Sequence, residues 1–484
     1  MRVMQNNLKK LDTSVKTTKD SILNSVREYY KENHVKQSRK DFYDDSDFIE
    51  GITPVPYAGR VFNEEEMVNS ASALLDFWLT LGEHGKSFED KFANFLGVKK
   101  SILTNSGSSA NLLTISALTS HKLGAKRLLK GDEVITVAAG FPTTVAPILQ
   151  NGLVPVFADN DPITLNLKVD DLPNLLSDKT KAVFIAHTLG NPFNLSAVQD
   201  FCEKNNLWLI EDNCDALGCE YNSQFTGTFG DLSTQSFYPP HHLTLGEGGM
   251  INIPKNLRLK NLVESFRDWG RDCWCPSGKD NTCNKRYGFN LGELPDGYDH
   301  KFTYSHWGYN IKPLDLQAAI GLAQLEKLDT FINDRKRNWN YLRNGLDKLS
   351  SELYFSLPTH ATKWSHEHGF EWDNSGNKTE CSWFGFMIGI KNGSKINKQH
   401  FANYLDTNKI NNRMLFGGNL LRQPVAIQQE KDYPGSIRKK DNNDYSGADQ
   451  IMNSSLFIGT FPGLRKVHLD YIISVITNYV SEYS

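Results

Sequence analysis

Two adjacent histidines, His241 and His242, follow a proline pair in residues 236–249, which read SFYPPHHLTLGEGG. The prolines end regular strand pairing and form a stiff turn, and the glycines that follow allow close backbone packing. Because imidazole exchanges protons near neutral pH, a histidine fixed on such a turn is a candidate acid or base. The alternative is a histidine that only supports the turn.

Cysteines form the second chemically informative set. Three of them, Cys273, Cys275 and Cys283, lie close together in a loop that also carries Gly, Pro and Asn. Such thiols suit an iron–sulfur cluster or zinc, although Cys-x-Cys is an unusual zinc spacing, and unligated thiols are the third possibility. A cluster would take its fourth ligand from elsewhere, and Cys214 is the candidate. The chain has seven cysteines: Cys202, Cys214, Cys219, Cys273, Cys275, Cys283 and Cys381. This odd number, in a reducing compartment, argues for ligands or buried thiols and against disulfides.

Other polar groups stand at the ends of strand-like runs. Ser106, Gly107 and Ser108 lie between a strand and a helix start, where free backbone N–H groups can hold a phosphate, although serines there also serve as plain helix caps. Asp212 ends an apolar run, at the edge of an open α/β sheet where ligands bind. These residues are candidates for ligand binding at one edge of a sheet.

Apolar runs and helical spacings indicate the elements that must position these residues. Short apolar strands alternate with helical segments, which is typical of a largely parallel sheet covered by helices on both faces. Residues 87–100 predict an amphipathic helix, residues 314–350 a long connecting helix, and residues 366–379 an exposed loop. The predicted strands are residues 133–137, 154–158, 182–186, 207–211, 232–238 and 250–253.

The charge balance limits the classes of partner. The 484-residue chain has 53 Lys and Arg against 56 Asp and Glu, which does not suggest a nucleic acid or an anionic membrane as partner. No apolar run approaches the roughly 18 residues of a membrane span. The polar first residues lack the apolar core of a signal peptide. We therefore expect a cytoplasmic protein.

Taken together, these segments resemble the DegT/DnrJ/EryC1/StrS family of pyridoxal-phosphate enzymes. Residues 236–249 are similar to the lysine segment of that family, SFxxxK-N-L-T-x-GEGG, with His241 in the lysine position. Imidazole has no primary amine and cannot form an imine with the cofactor. One branch, the pyridoxamine-phosphate-dependent sugar 3-dehydrases, is known for this replacement. The resemblance runs through residues 52–330 and recurs in patches to the end of the chain.

The resemblance implies the aspartate-aminotransferase type I fold. This is an α/β architecture with a large, mostly parallel-sheet domain and a small C-terminal α/β domain. We expect residues 1–50 to form a helical extension, residues 51–330 the large cofactor domain with the cysteine loop, and residues 331–484 the small domain.

The resemblance also implies which residues hold pyridoxal or pyridoxamine 5'-phosphate. Asp212 would pair with the pyridine nitrogen, and Phe141 would cover the ring. Asn310 would reach the phosphate of the neighbouring subunit's cofactor, which implies a homodimer. The other implied contacts are Ser106, Gly107, Ser108 and Ser236 at the phosphate and Asn191 beside the ring.

Catalytic and substrate-binding residues follow from the same resemblance. His241 would be the base, and Asp215 and Tyr238 would take part in the reaction or hydrogen-bond the histidine pair. Arg413 and Arg422 would bind the diphosphate or sugar of a nucleotide-linked substrate, or lie on the surface as ordinary arginines.

The cysteines resemble those of one group of 3-dehydrases, the CDP-6-deoxy-L-threo-D-glycero-4-hexulose-3-dehydrases. In that group four cysteines hold a [2Fe–2S] cluster, which implies Cys214, Cys273, Cys275 and Cys283 as ligands here. A total of 58 residues separate Cys214 from Cys273, one more than in that group. Cys219 is therefore a rival for the fourth ligand.

The expected function is removal of the 3-hydroxyl from a nucleotide-linked 4-keto-6-deoxyhexose, with CDP-4-keto-6-deoxyglucose as the expected substrate. It would serve 3,6-dideoxysugar and O-antigen biosynthesis, with electrons supplied through the cluster by a separate flavin and iron–sulfur reductase. One alternative is a cluster-free, pyridoxal-phosphate-dependent 3-dehydratase that regenerates its amine by transamination. The other is a catalytically dead paralogue that still binds the cofactor.

Overall fold

The computed structural model describes residues 2–35 and 40–484. Residue 1 and residues 36–39, which belong to the predicted extension over residues 1–50, lie outside the described residues. The α-helices of the described chain are α1 Arg2–Asn33, α2 Glu64–Asp76, α3 Glu83–Leu96, α4 Gly107–Leu118, α5 Pro142–Gln150, α6 Leu172–Leu175, α7 Leu195–Lys204, α8 Arg258–Arg267, α9 Asp315–Leu325, α10 Leu328–Leu346, α11 Lys398–Thr407, α12 Pro424–Asp432, α13 Ser446–Ser454 and α14 Lys466–Tyr483.

Within the described residues, the strands form one seven-stranded sheet, one four-stranded sheet and two small sheets. The seven-stranded sheet has the order β1-β9-β8-β5-β4-β2-β3, and the four-stranded sheet has the order β10-β14-β16-β15. These labels denote β1 Lys100–Thr104, β2 Glu133–Val137, β3 Val154–Ala158, β4 Thr180–Ala186, β5 Trp208–Asp212, β6 Glu220–Tyr221, β7 Gln224–Phe225, β8 Leu232–Ser236, β9 Gly249–Ile253, β10 Leu353–Phe355, β11 Ala361–Ser365, β12 Gly369–Trp372, β13 Thr379–Glu380, β14 Gly385–Ile390, β15 Asn412–Met414 and β16 Ser455–Gly459.

The large sheet is mostly parallel, as the sequence pattern predicts. Strands β3, β2, β4, β5 and β8 run parallel, whereas β9 lies antiparallel to both β8 and β1. Successive strand residues point to opposite faces. Ile210 accordingly belongs to one buried cluster with Leu113 of α4 and Leu262 of α8, while Leu209 belongs to another with Val198 of α7 and Leu172 of α6. Helices therefore cover both faces, and the carboxyl ends of β4, β5 and β8 meet at one edge.

The predicted amphipathic helix over residues 87–100 is α3, which ends four residues earlier than predicted. Phe88 and Phe92 are fully buried and Leu96 nearly so, which confirms the predicted apolar face. Gly97 ends the helix with φ of 75°, a left-handed conformation that favours glycine.

Two predictions about regular structure are wrong in detail. The single helix over residues 314–350 is instead α9 and α10, separated at Glu326–Lys327, where the Lys327 ammonium binds the Glu66 carboxylate at 2.6 Å. Apolar periodicity continues through such a break and does not reveal it. The predicted loop over residues 366–379 contains β12, which pairs with β11 in a hairpin. Its polar composition hid the pairing.

The N-terminal helix α1 packs against the segment that leads into α2. Tyr30 is 3% exposed, its hydroxyl donates to the Phe62 carbonyl at 3.3 Å, and the two rings lie 5.9 Å apart. Among the described residues, the helices include none that is long and apolar enough to cross a membrane. No observation tests the predicted domain boundaries at residues 50 and 330, which stay predictions.

One buried carboxylate, Asp315 at the start of α9, caps the beginning of α3. It accepts hydrogen bonds from the backbone N–H groups of Gly82, His84 and Gly85 at 2.7, 3.2 and 2.8 Å. The four first N–H groups of a helix have no partner within the helix, so this carboxylate satisfies donors that are otherwise left unpaired.

We expect Asp315→Ala to lower the free energy of unfolding by about 3 kcal/mol, because buried donors lose charge-assisted hydrogen bonds. Urea unfolding measures this difference. The control is Asp329→Ala on the exposed start of α10, with an expected effect within about 0.5 kcal/mol. Equal effects of the two substitutions would show that the Asp315 cap does not stabilise the fold.

Candidate active site

A cavity of about 320 Å³ lies at the edge of the large sheet where β4, β5 and β8 end, beside the start of α4. Strand β15 and the aromatic side chains Phe384 and Phe457 close its other side. Ten of the residues predicted for the site line this cavity: Gly107, Ser108, Phe141, Asp212, Cys214, Asp215, Ser236, Tyr238, His241 and Arg413. Residues far apart in sequence are thus brought to a single site.

The turn after β8 separates the two histidines. The backbone N–H of His241 donates to the Tyr238 carbonyl at 3.0 Å, and the His241 ring lines the cavity. The His242 ring points away from it, where it is buried and donates through Nε2 to the Ser382 carbonyl at 2.6 Å. Only His241 is therefore placed for chemistry, and His242 supports the turn.

The His241 imidazole lies against a carboxyl group. Its Nδ1 is 3.5 Å from Oδ1 of Asp215 and is buried without a hydrogen bond. Burial and the nearby charge of Arg335 lower the pKa of His241 to about 3. Burial and the charge of Asp212 raise the pKa of Asp215 to about 8. At neutral pH the site therefore presents a neutral imidazole beside a protonated carboxyl group, which is the form of histidine that accepts a proton.

Asp212 is the most strongly held side chain in the cavity. Its Oδ2 accepts hydrogen bonds from Asn111 Nδ2 at 2.9 Å and from the Thr144 hydroxyl at 2.7 Å. The side-chain oxygen Oδ1 of Asn111 in turn accepts a hydrogen bond from the Thr234 hydroxyl on β8 at 2.6 Å. The sequence analysis missed Asn111 and Thr144, although Asn111 lies one turn after the serine–glycine segment. A carboxylate fixed in this way suits the predicted contact with a protonated ring nitrogen.

The start of α4 forms a small anion cradle. A Cβ atom on Gly107 would lie 2.5 Å from Cβ of Ser236, so only glycine fits beside that serine. Ser108 is exposed to the cavity at the helix N-terminus, where backbone N–H groups favour anions. The Ser106 hydroxyl instead accepts from Ser109 N–H at 3.1 Å and caps the helix, the simpler of its two predicted roles. Gly107, Ser108 and Ser236 therefore fit a phosphate group.

Three other predicted residues lie outside the cavity. Asn191 is buried and holds neighbouring loops together through hydrogen bonds to Leu357 O and Thr359 N–H. Asn310 is exposed, and its backbone pairs with that of Asp268 in an isolated antiparallel β-bridge. Arg422 forms an exposed ion pair with Asp449 at 2.9 Å. A motif match places these residues in the chain, but it does not show which way each side chain points.

The four predicted cluster ligands do not lie around one common cavity in this chain. Cys273, Cys275 and Cys283 line a second small cavity with His300, while Cys214 lines the first. Burial and the charge of Asp212 raise the pKa of the Cys214 thiol well above its usual value, which disfavours the thiolate that binds metal. In the described part of the chain, no three His, Cys, Asp or Glu side chains are arranged to hold a metal ion.

The rival ligand Cys219 is also unsuited to the cysteine loop. It is fully buried, and its thiol donates to Gly190 O and accepts from Ser382 N–H, both at 3.1 Å. As the residues lie, neither four-cysteine set fits a [2Fe–2S] cluster. The 58-residue spacing carried no information on this point, because sequence separation does not determine distance in the fold.

Aromatic side chains that sequence patterns did not reveal also line the cavity, among them Tyr57 and Phe384. Arg413 lies over the Tyr57 ring, with its guanidinium carbon 4.2 Å from the ring centroid, and both line the cavity. The Phe384 ring lies 5.1 Å from the His241 ring. Single aromatic residues scattered through a chain are ordinary core residues, so no sequence signal marks those that face a ligand.

Comparisons with known proteins show which family the chain resembles. Residues 62–477 match the DegT/DnrJ/EryC1/StrS aminotransferase family. The chain is 49% identical to the lipopolysaccharide biosynthesis protein RfbH of Salmonella typhimurium, over 88% of this chain and 92% of that protein. It is 43% identical to the dTDP-4-dehydro-2,6-dideoxy-D-glucose 3-dehydratase of Saccharopolyspora spinosa, over 97% of this chain and 94% of that protein.

Solved structures show the same architecture. The E. coli GDP-4-keto-6-deoxy-D-mannose-3-dehydratase with bound hydrated PLP superposes with a TM-score of 0.73 and 28% identity, covering 87% of this chain and 98% of that one. The predicted aspartate-aminotransferase type of fold is confirmed. With a family match that spans residues 62–477, the chain belongs to the DegT/DnrJ/EryC1/StrS aminotransferase family.

Proposed function

We propose that this protein binds pyridoxamine or pyridoxal phosphate and removes the 3-hydroxyl from a nucleotide-linked 4-keto-6-deoxyhexose. The observation that carries the proposal is the His241 turn, which presents a neutral imidazole to the cavity in place of the family's lysine. Two relatives are named as sugar 3-dehydratases, acting on dTDP-linked and GDP-linked sugars. A dead paralogue that only binds the cofactor would need the cradle and Asp212, but it would not need a base at position 241.

The cavity residues have separate proposed roles in cofactor binding and proton transfer. When bound, pyridoxamine phosphate supplies an amine for the sugar ketone and a ring that accepts electrons. Gly107, Ser108 and Ser236 hold its phosphate, and Asp212 holds its ring nitrogen. His241 Nδ1 is buried against Asp215, which leaves Nε2 to take up a proton from a group in the cavity and return it.

Two further residues complete the proposed substrate site. Tyr238 is half exposed at the cavity, where its hydroxyl can donate to the departing 3-hydroxyl oxygen. Arg413 lies on the opposite wall and can bind the diphosphate. Arg422 is paired on the surface with Asp449, so we leave it out of the substrate site. We retain a CDP-linked sugar as the proposed substrate.

The exposed position of Asn310 supports the proposed homodimer. Asn310 does not line the cavity of its own chain and is free to approach that of a second copy. One relative is named a lipopolysaccharide biosynthesis protein, which supports a role in O-antigen biosynthesis. We propose that this role is a cytoplasmic step that leads to a 3,6-dideoxysugar.

Two routes can follow the loss of the hydroxyl. The first route uses an iron–sulfur cluster and a separate reductase, and it is supported by the three thiols that line one cavity, Cys273, Cys275 and Cys283. The fold brings neither Cys214 nor Cys219 to these thiols as a fourth ligand. The separate position of Cys214 favours the second candidate, a cluster-free dehydratase that regenerates its amine from an amino acid. Iron content and the required co-reactant distinguish the two routes.

We expect His241→Lys to bind pyridoxal phosphate covalently, because its amine can condense with the aldehyde with loss of water. Borohydride reduction followed by mass spectrometry detects the adduct. Dehydration should fall at least about 100-fold with loss of the base. His241→Gln is the control, which should lose activity without forming an adduct. Adduct formation by wild type would show that another residue occupies the lysine position.

Asp212→Asn should weaken binding of pyridoxamine phosphate at least about tenfold, because one charge-assisted hydrogen bond is worth roughly 1.5–3 kcal/mol. Fluorescence titration measures the dissociation constant. The control, Asp231→Asn, changes another partly buried aspartate, which binds Leu209 N–H at 3.0 Å and does not line the cavity. Equal affinities for Asp212→Asn and wild type would mean that Asp212 does not hold the ring.

The proposed function is tested by incubating anaerobically purified protein with pyridoxamine phosphate and CDP-4-keto-6-deoxyglucose in ¹⁸O-labelled water. We expect label to enter at carbon 3, since loss of the hydroxyl is reversible. If the chain carries a cluster, iron is present and a 3-deoxy product needs reductase and reduced nicotinamide. Absence of both label exchange and product would contradict the proposed function.

Cysteine variants then identify the ligands. If the cluster route holds, Cys273→Ser should lose iron and the 3-deoxy product but keep label exchange, whereas the control Cys202→Ser should keep all three. Cys214→Ser and Cys219→Ser separate the two candidates for the fourth ligand. Iron-free wild type that forms product with glutamate alone would establish the cluster-free route.

A further inference from the structure

A buried arginine on α10, Arg335, joins the His241 turn to the segment that leads into β14. It is 1% exposed. Its Nη2 donates to the carbonyls of Pro240 and His241, both at 3.1 Å. Its Nη1 donates to the carbonyls of Trp383 and Phe384 at 3.3 and 3.1 Å. All four acceptors are main-chain atoms, so the guanidinium fixes backbone positions on two separate segments.

The same two segments touch each other at further points. The His241 ring packs against the Phe384 ring at 5.1 Å, and His242 donates to the Ser382 carbonyl. The Arg335 guanidinium lies 6.0 Å from the centroid of the Phe384 ring. The main chain of His241 and the ring against which its imidazole packs are therefore held by one side chain.

Arg335 does not line the cavity, so it does not contact a molecule bound there. Burying a guanidinium is costly unless its donors are satisfied. The two Nη atoms of Arg335 donate to four carbonyls, whereas its Nε has no hydrogen-bond partner among the described residues. The planar fork of arginine can satisfy two pairs of carbonyls at once, which the single ammonium of lysine cannot match. This chemistry suits a group that sets the position of a turn.

We propose that Arg335 is a positioning residue for His241: its two pairs of carbonyl hydrogen bonds hold the turn so that the side chain at position 241 reaches the reacting atoms in the cavity. This inference rests on the proposed function, in which His241 is the base. A displacement of the turn by about 1 Å would then cost on the order of 100-fold in rate.

The test measures the reach of position 241 without relying on dehydration. In the His241→Lys variant, the rate at which the new amine forms the borohydride-reducible adduct with pyridoxal phosphate reports how well position 241 is placed. Adding Arg335→Met should slow adduct formation at least about tenfold. Adding Arg335→Lys, which keeps the charge but loses the fork, should slow it by an intermediate factor.

A matched control is Arg343→Met in the same background. Arg343 is also buried on α10, but it binds Asp347 and stacks on Phe355 and Trp364, away from the His241 turn. The control should leave the adduct rate unchanged. Thermal unfolding and cofactor affinity, measured on each variant, show that the fold and the phosphate site are intact. If the Arg335→Met variant does not fold, the adduct rate of the Arg335→Lys variant is compared with that of the Arg343→Met control, and this difference tests the positioning role.

The outcomes separate the inference from the proposed function. With His241 present, Arg335→Lys should lower kcat and leave KM for the sugar unchanged. An adduct rate unaffected by either Arg335 substitution, at unchanged cofactor affinity, would overturn the positioning role. If His241→Lys alone forms no adduct, the assignment of His241 fails, whatever the Arg335 variants do.

Discussion

The buried carboxylate of Asp212 is the group on which the site depends. It lies at the end of β5, almost inaccessible to solvent, and a buried charge must be satisfied by hydrogen bonds. Asn111 from α4 and Thr144 from α5 supply them, and Thr234 on β8 orients Asn111. One requirement for hydrogen bonding thus fixes the relative positions of two helices and two strands around the cavity.

The same carboxylate influences the protonation of its neighbours. Burial is the larger cause of each shift, but Asp212 also raises the pKa of Asp215 and of the Cys214 thiol, since a second negative charge nearby is unfavourable. The positive charge of Arg335 lowers the pKa of His241. Charges around the turn therefore favour neutral forms of the groups closest to His241. A neutral imidazole is the form of His241 that can accept a proton.

Thiols occur in two separate environments. Cys214 belongs to the buried network of Asp212, whereas Cys273, Cys275 and Cys283 lie on a loop between α8 and α9 beside basic side chains. The loop is attached where Arg271 pairs with Tyr304 and Asp268 pairs with Asn310. The cysteine loop and the exposed Asn310 are thus held on one part of the surface, away from the Asp212 network of the same chain.

The sequence by itself determined the parallel sheet, the place of the histidine turn and ten of the 21 residues that line the cavity. Strands buried on both faces need continuous apolar runs, and the carboxyl ends of parallel strands must meet at one edge, so the local pattern placed Asp212 at the site. Ser236 and the base role of His241 followed from the resemblance of residues 236–249 to the lysine segment of the family. Only the tertiary structure decided the role of His242, whose ring binds the Ser382 carbonyl away from the cavity, because a motif match at His241 does not show where the adjacent side chain points. It also decided the role of Arg335, whose carbonyl partners lie 94 and 95 residues before it and 48 and 49 after it. The separation of Cys214 from the cysteine loop likewise became visible only in the fold, because contact between distant segments depends on packing and not on spacing along the chain.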